Sequence, residues 1–144
     1  MATARTDPYP RSSFLVEIDG IAGSAFLDVT PPGGSATVVK YRAGTDGALS
    51  RPMRGSLSVD TLTFRRGYDG RLELYQWWNE VRQGNTAARR NLLIVLLDEQ
   101  GQEVTRWNVF GAFPSSHRFE RLDAMSPSPV IEVIEVVYSN YEMF

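Results

Sequence analysis

The chain has no cysteine and only one histidine among its 144 residues. Without cysteine there is no disulfide and no thiolate ligand for a metal, which fits a reducing compartment. The single histidine, His117, has no second histidine or cysteine at ligand spacing, so an ordinary zinc site is not expected. Its neighbours Ser115 and Ser116 do not indicate a catalytic pair, because adjacency in sequence does not orient a base toward a hydroxyl.

The chain also has little net charge and no long apolar run. Its 15 basic and 17 acidic residues argue against a dedicated nucleic-acid binder. No run approaches the roughly 20 apolar residues that span a bilayer, and residues 1–13 are too polar for a secretory signal, so we expect synthesis in the cytoplasm. The length predicts a single domain over 1–144, whose first part, 1–11, is a flexible arm.

No phosphate-binding loop, dinucleotide fingerprint or Gly-x-Ser-x-Gly elbow occurs in the sequence. We therefore predict no catalytic residue, no metal and no cofactor, and the protein is not expected to be an enzyme. An enzyme would need a pocket that brings His117 close to a carboxylate, which nothing in the spacing predicts. Glu132 and Glu135 fall on opposite faces of one strand and so cannot act as an acid/base pair.

The clearest predicted element is a β-hairpin over residues 91–113. In its first arm, 91–97, residues at both odd and even positions are apolar, which is typical of a strand covered on both faces. A polar turn over 98–102 supplies a glycine. The return arm, 103–113, is expected to stop at Pro114, because proline cannot donate to a central ladder. Further strands are expected over 14–18, 24–29 (pairing back on the first), 36–42, 57–66 and 130–138, with an irregular strand over 117–122.

One convincing helix is predicted over residues 70–83. Asp69 is a suitable N-cap and Gly84–Asn85 a suitable stop. The apolar stripe of this helix consists of Leu74, Trp78 and Val81, widened by Trp77. Core packing is the ordinary interpretation of the tryptophan pair. A stacking platform for sugars or bases, with Tyr75 beside Trp77 or Trp78, is the alternative.

Two segments indicate contacts beyond a single subunit. The long stretch 43–56 contains glycines, Pro52 and arginines but almost no large apolar residue, so it cannot bury itself. It is either a mobile surface loop or an arm that becomes ordered against another subunit. The nearly all-apolar last strand needs a barrel, a helix or a neighbouring chain to cover it. The tail, 139–144, ends in apolar residues that suggest docking rather than free solvation.

Several segments resemble, in the same order, the tail-tube protein family of contractile phages and contractile injection systems. They are the opening strand FLVEIDGI at 14–21, VKYRAG at 39–44, LTFRRG at 62–67 before a Trp-rich helix, RRN through VLLDEQG to RWN at 89–108, and AFPS at 112–115. Together they span most of 14–138. The chain departs from the family pattern at 30–34, TPPGG, and within the long loop at 51–55, RPMRG.

This resemblance implies a mainly β fold of two packed antiparallel sheets, a β-sandwich or barrel with one flanking helix, similar to the haemolysin-coregulated protein of type VI secretion. It also implies hexameric rings that stack into a hollow inner tube, surrounded by sheath subunits and begun at baseplate or tube-initiator proteins. The lumen would conduct DNA or protein cargo when the sheath contracts, and the assembled particle would be a phage tail or an injection particle. A tube-initiator paralogue close to the baseplate and a free-standing β-sandwich that binds a ligand are the alternatives.

Three surfaces of such a tube can be assigned as candidates. The long loop 43–56 and its flanks would make the inter-ring contact, through Arg42, Gly44, Asp46, Arg51, Met53 and Arg54. The last strand would be the edge that pairs with a neighbouring subunit, through Ile131, Val133, Glu135 and Val137. Polar strand positions are the candidates for facing the lumen, namely Ser58, Asp60 and Thr105.

Overall fold

Nine strands and one helix occur in the described part of the chain, which comprises residues 7–21, 26–41, 44, 51–85 and 88–144 of the computed structural model. In chain order they are β1 (Phe14–Ile18), β2 (Asp28–Val29), β3 (Gly34–Tyr41), β4 (Arg51–Val59), β5 (Leu62–Gly67), α1 (Glu73–Arg82), β6 (Arg90–Leu97), β7 (Glu103–Phe119), β8 (Ile131–Val137) and β9 (Asn140–Met143).

The longest strand, β7, belongs to two antiparallel sheets. Its first part pairs with β6 and β9, and its last part pairs with β8. Sheet A therefore has the order β1-β6-β7-β9, and sheet B has the order β7-β8-β5-β2. Strands β3 and β4 form a separate two-stranded sheet. The expected mainly β fold of two antiparallel sheets with one flanking helix is confirmed.

The core lies between the two sheets and α1. In β1 the alternation of side chains places Val16 and Ile18 inward and leaves Leu15 and Glu17 outside. The side chains that fill the core are Val16, Ile18, Leu62, Phe64, Leu74, Trp77, Ala88, Leu92, Ile94, Val109, Ala112, Ile134, Val136 and Tyr138.

The predicted hairpin over 91–113 is confirmed, but its return arm does not stop at Pro114. Strand β7 continues to Phe119, and Pro114 lies within it beside a register shift between Pro114 and Ser116. A bulge is one of the places in a sheet where a residue without an N–H is tolerated. Just before β7 passes from pairing with β6 to pairing with β8, Gly111 has a φ of +64°, which few side-chain-bearing residues adopt.

Two strands differ from the sequence prediction because their partners lie elsewhere. The expected strand 57–66 is divided into β4 and β5, since β4 pairs with β3 whereas β5 pairs with β2 and β8. At the division the Asp60 N–H donates to the Gly33 carbonyl at 2.8 Å. Strand β2 pairs with β5 and not with β1, so the predicted pairing of 24–29 is wrong; residues 22–25 lie outside the described residues. Asp28 binds Arg65 at 2.7 Å, and hydrogen bonds to Glu120 and Asp28 raise the pKa of Arg65.

The helix begins later than its sequence predicts. Residue Leu72 occupies the N-cap position without a side-chain hydrogen bond, so Asp69 is not the cap. The Asp69 carboxylate instead accepts the Arg71 N–H at 3.1 Å and closes a turn, and Gly70 at φ +93° keeps that turn out of the helix. The predicted stop is confirmed, because Gly84 has φ +79° and its N–H donates to a carbonyl of the last turn.

Candidate assembly surfaces

The β3–β4 hairpin projects from the body of the protein. Within the described chain its strands pair with each other and with no other strand. All its residues are exposed except Gly55, which is half-buried. A two-stranded hairpin alone is marginally stable in water, so this element needs a further surface to pack against.

The register of this hairpin is set by a bulge near its middle. The pairing shifts between Ala36 and Val38. Opposite the shift, Gly55 has no room for a side chain, since a Cβ there would lie 2.9 Å from Thr37 Oγ1. Thr37 Oγ1 also donates to the Ser56 carbonyl at 3.0 Å. Beyond this bulge the alternation of side chains is fixed to the end of the described strands.

Beyond the bulge the two faces of the hairpin differ in chemistry. Directly opposed residues share a face, and successive residues alternate. One face therefore presents Val39, Tyr41, Met53 and Arg51, and the three apolar side chains are 52% to 54% exposed. The other face presents Val38, Lys40, Pro52 and Arg54. The two strands contain three basic residues and no acidic one, so the hairpin is a cationic arm with one largely apolar face.

The base of the hairpin is fastened to the end of β8. The Tyr138 hydroxyl accepts the Gly33 N–H at 3.3 Å and donates to the Gly33 carbonyl at 3.2 Å. The Asp60 N–H donates to that same carbonyl from the other strand of the hairpin. Tyr138 is itself buried and stacks edge-on against Tyr141 in β9. The direction of the hairpin is thereby tied to the core.

Replacing Tyr138 by phenylalanine should lower the free energy of unfolding by about 1 kcal/mol, the usual net value of a hydrogen bond. Burial raises the pKa of the Tyr138 phenol above its ordinary 10.0. As the pH rises through about 10, the phenol ionises in the unfolded protein at a lower pH than in the folded protein. This favours unfolding of the wild type, whereas the phenylalanine variant has no phenol to ionise. Urea titrations from pH 8 upward should show that the difference in free energy of unfolding between the two proteins becomes smaller above about pH 10. A difference that stays constant with pH would contradict this account.

A second surface lies where the outer strands of the two sheets approach each other. Strand β1 ends sheet A and strand β2 ends sheet B, and within the described chain the outer edge of neither carries a further strand. Between them is a cavity of about 710 Å³. Its apolar lining includes Phe14, Leu27, Val29, Ile94, Leu96 and Trp107. Free strand edges beside an apolar groove are typical of a surface that another chain covers.

The residues predicted for the inter-ring contact lie in three different settings. Arg42 and Asp46 are outside the described residues. Gly44 is an exposed turn residue with no neighbour within 4 Å of a Cβ built on it. Arg51, Met53 and Arg54 belong to β4, so the predicted loop 43–56 is wrong over 51–56, because these residues pair with β3. Their contact with another ring stays a prediction.

The last long strand is not an edge. Strand β8 pairs with β5 on one side and β7 on the other, so its backbone is already used within the subunit. Ile131 and Val133 are buried, Val137 is half-buried, and Glu135 binds Arg118 at 3.0 Å. Its predicted role as an inter-subunit edge strand is therefore wrong. The tail does dock as predicted, because β9 pairs with β7.

The lumen candidates do not share one environment. Ser58 and Asp60 are exposed at the base of the hairpin, where Ser58 Oγ lies 2.9 Å from Ser35 Oγ. Thr105 is half-buried in sheet A, opposite Leu96. Which side chains face a lumen stays a prediction.

The sequence analysis missed a buried ionic cluster. Glu132 accepts a hydrogen bond from Arg66 Nε at 2.6 Å, and its other oxygen lies 2.7 Å from His117 Nε2. The side chains of Glu132, Arg66 and His117 are only 1%, 2% and 5% exposed. Glu73 adds a carboxylate 3.4 Å from the same guanidinium. A glutamate within an otherwise apolar strand was the available signal, because such a charge must find a partner when the strand is buried.

This cluster brings His117 to a carboxylate, but it does not form an open site. Both oxygens of Glu132 are engaged and both side chains are almost fully covered. No group of three or more His, Asp or Glu side chains in the described part of the chain could hold a metal. The described helix is too short and too polar to cross a membrane. The cluster is a structural element of the core.

The tryptophan pair also belongs mainly to the core. Trp77 is 1% exposed, and its indole N–H donates to the Ala88 carbonyl at 2.6 Å. Trp78 is half-buried, and Tyr75 is 39% exposed. A stacking platform built on Trp77 is therefore excluded, because neither face of that ring is open to a ligand.

Comparison with known proteins identifies the family. The model of the T4-like virus tail tube protein gp19 family matches residues 10–142. The chain belongs to this family. A search of curated protein sequences found no match.

Solved structures agree with this tail tube assignment. A chain of an extracellular contractile injection system, in the PVC sheath–tube complex in its extended state, is 27% identical with a TM-score of 0.84, covering 96% of this chain and 93% of that one. A chain of the PVC sheath/tube terminator is also 27% identical, with a TM-score of 0.85 and coverage of 98% and 99%. Hcp1 from Flavobacterium johnsoniae shares the fold at 14% identity, with a TM-score of 0.59 and coverage of 91% and 94%. The chain is thus a tail tube protein with a structural role in an inner tube.

Proposed function

We propose that this tail tube protein forms hexameric rings that stack into the hollow inner tube of a contractile phage tail or a contractile injection system. Sheath subunits surround the tube and a baseplate or initiator protein starts it. The lumen conducts DNA or protein when the sheath contracts. The protein acts by assembly, with no catalytic step and no cofactor.

The observation that carries this proposal is the projecting β3–β4 hairpin. It is tied firmly at its base but leaves Val39, Tyr41 and Met53 about half exposed. A monomer gains nothing from holding such an arm in water, whereas a stacked ring can bury it. Repeated head-to-tail contacts of this kind do not close on themselves, and so they extend a filament along its axis.

The open ends of the two sheets support the ring itself. The outer edges of β1 and β2 and the apolar groove between them form one continuous surface at the side of the subunit. Closing a ring of identical subunits covers such edges without any additional protein.

Removal of the outer hairpin should stop stacking and leave the subunit folded. In the variant, residues 38–55 are deleted and Thr37 is joined to Ser56 through Asn-Gly, which favours a tight turn. We expect negative-stain electron microscopy with light scattering to show stacked tubes for the wild type and, for the variant, no more than single rings. Circular dichroism and the thermal midpoint should change little, because the hairpin contributes nothing to the core.

The matched control removes another exposed apolar segment. Residues 122–126 between β7 and β8, which include Leu122 at 74% and Met125 at 91% exposure, are replaced by a Gly-Ser linker. This control should still form tubes. Tubes of normal length from the hairpin deletion would contradict the proposal. Wild-type rings that never elongate would instead favour an initiator close to the baseplate, and a strict monomer with or without a baseplate partner would favour the free-standing ligand-binding module.

A further inference from the structure

The outer face of sheet A carries a row of side chains that crosses all four strands. Glu17 in β1 lies opposite Leu93 in β6. Leu93 in turn lies opposite Asn108 in β7, and Asn108 lies opposite Glu142 in β9. Directly paired residues project to the same side of a sheet, and Val16 and Ile18 occupy the inner side. The row therefore faces away from the core.

This face is acidic. Glu17, Asp19 and Glu142 all lie on it and are all exposed, and no ion pair to any of the three side chains occurs within the described residues. Arg106 on this face is held by Glu103 at 2.6 Å, and the Arg90 guanidinium, which donates to the Asp19 backbone carbonyl at 2.7 Å, pairs with Glu80 at 3.6 Å. Asp19 and Glu17 border a shallow depression that Asn91, Asn108 and Phe110 also line. The face thus combines unpaired negative charge with polar and apolar contact area.

The hairpin carries the opposite charge on one face. Lys40 and Arg54 project from the same side, beyond the bulge, and both are exposed. Neither has an ion-pair partner among the residues that the structure describes. Within one subunit no hydrogen bond or ion pair in the described chain connects this cationic face to the acidic row.

We infer that the cationic face of the hairpin of one subunit docks on the acidic outer face of sheet A of a second copy, with Lys40 and Arg54 opposite Glu17, Asp19 and Glu142. This inference rests on the proposed function, since it names the surface that receives the hairpin. Charge complementarity selects the partner: the same chain supplies two unpaired basic groups on a projecting arm and three unpaired acidic groups on an open sheet. The opposite face, which bears Val39, Tyr41 and Met53, points away from this contact and is left for another subunit of the tube to cover.

Charge reversal tests the inference by complementation. The hairpin variant carries Lys40→Glu and Arg54→Glu, and the sheet variant carries Glu17→Lys and Glu142→Lys. Each variant alone opposes like charges, so we expect roughly a tenfold or greater rise in the concentration at which half of the protein sediments as tubes. A mixture should assemble again, because alternating rings of the two variants pair every reversed surface with its complement. Wild-type assembly should also weaken as salt rises from 0.05 to 0.5 M, since these charges are exposed.

A control variant and a direct test of contact show whether the proposed docking surface is wrong or the proposed tube function is wrong. Arg121→Glu with Asp123→Lys reverses an exposed pair on the β7–β8 loop and should leave assembly unchanged. Because the chain has no cysteine, a mixture of Arg54→Cys and Glu142→Cys proteins treated with the thiol oxidant diamide should form a disulfide heterodimer, and a mixture of Arg121→Cys and Glu142→Cys treated in the same way should not. This crosslink is read on the soluble protein even when no tube forms.

Three results would overturn the inference. If the wild type formed tubes but the mixture of the two charge-reversal variants did not, the hairpin would dock on another surface and the proposed function would be unaffected. Crosslinking no better than the Arg121→Cys control would lead to the same conclusion. The third result is a Lys40→Glu/Arg54→Glu variant that assembles normally but binds a single-stranded oligonucleotide less tightly than the wild type. That result would assign the cationic face to nucleic-acid cargo.

Discussion

Replacing Glu132 by alanine is expected to lower the free energy of unfolding by roughly 3–5 kcal/mol. The carboxylate is 1% exposed and lies between Arg66 Nε at 2.6 Å and His117 Nε2 at 2.7 Å. Its removal takes the 2.6 Å carboxylate partner away from a guanidinium that is 2% exposed, and Glu73 at 3.4 Å is a more distant partner. Equilibrium unfolding in urea, with the unchanged slope as a check on two-state behaviour, measures the loss.

The matched control is Glu135→Ala in the same strand. Glu135 lies on the opposite face and pairs with Arg118, whose side chain is 54% exposed. An exposed pair of this kind contributes about 0–1 kcal/mol, so the control should cost far less than Glu132→Ala. A triple variant with Arg66→Met, Glu132→Leu and His117→Leu should recover most of the stability, because the apolar replacement leaves no fully buried charge unpaired. Glu73, which loses Arg66 in this variant, is 28% exposed to water. Equal losses for the two single glutamate variants would refute this account of the cluster.

Replacing Trp77 by alanine should cost a similar amount, roughly 3–5 kcal/mol, mainly through the cavity that a large buried ring leaves. The indole is 1% exposed and connects α1 to the residues that precede β6. The Ala88 carbonyl also loses the indole N–H that lies 2.6 Å away, and an unsatisfied buried acceptor adds to the penalty. Chemical unfolding followed by circular dichroism measures the total.

Two variants divide this effect into its causes. Trp77→Phe keeps most of the ring volume but removes the N–H donor, so it should cost clearly less than Trp77→Ala. Trp78→Ala truncates a half-buried neighbour on the same helix and should also cost less than Trp77→Ala. If Trp78→Ala proved the more damaging change, the burial assigned to the two rings would be wrong.

These two predictions concern the subunit, whereas the hairpin and charge-reversal variants concern contacts between subunits. Glu132 and Trp77 lie in the core, and Lys40 and Arg54 lie on an arm that contributes no side chain to it. Stability of the monomer and formation of tubes should therefore respond to different substitutions. A hairpin variant that unfolded at a much lower temperature would show that the arm supports the core as well.

The local elements followed from the sequence. The pattern in 14–18 predicted the first strand, in which Val16 and Ile18 are buried, and the polar turn with Gly101 closes the predicted hairpin at φ +79°. Gly84 ends the helix as expected. These features depend on side-chain periodicity and on backbone conformations that a few adjacent residues determine. Composition also identified 43–56 as a stretch that cannot bury itself, and its residues 51–56 are exposed apart from Gly55; their pairing with β3 in a hairpin was not predicted.

The partners of the strands were decided only by the tertiary structure. Continuation of β7 past Pro114, the central position of β8 and the pairing of β2 with β5 all depend on residues distant in sequence. The meeting of Arg66, Glu132 and His117 has the same origin, since these residues come from three strands. The separation of the hairpin into a cationic and an apolar face depends on a bulge that shifts its register by one position. Alternation along a strand defines two faces, but only its pairing with other strands determines which face is buried and which meets another subunit.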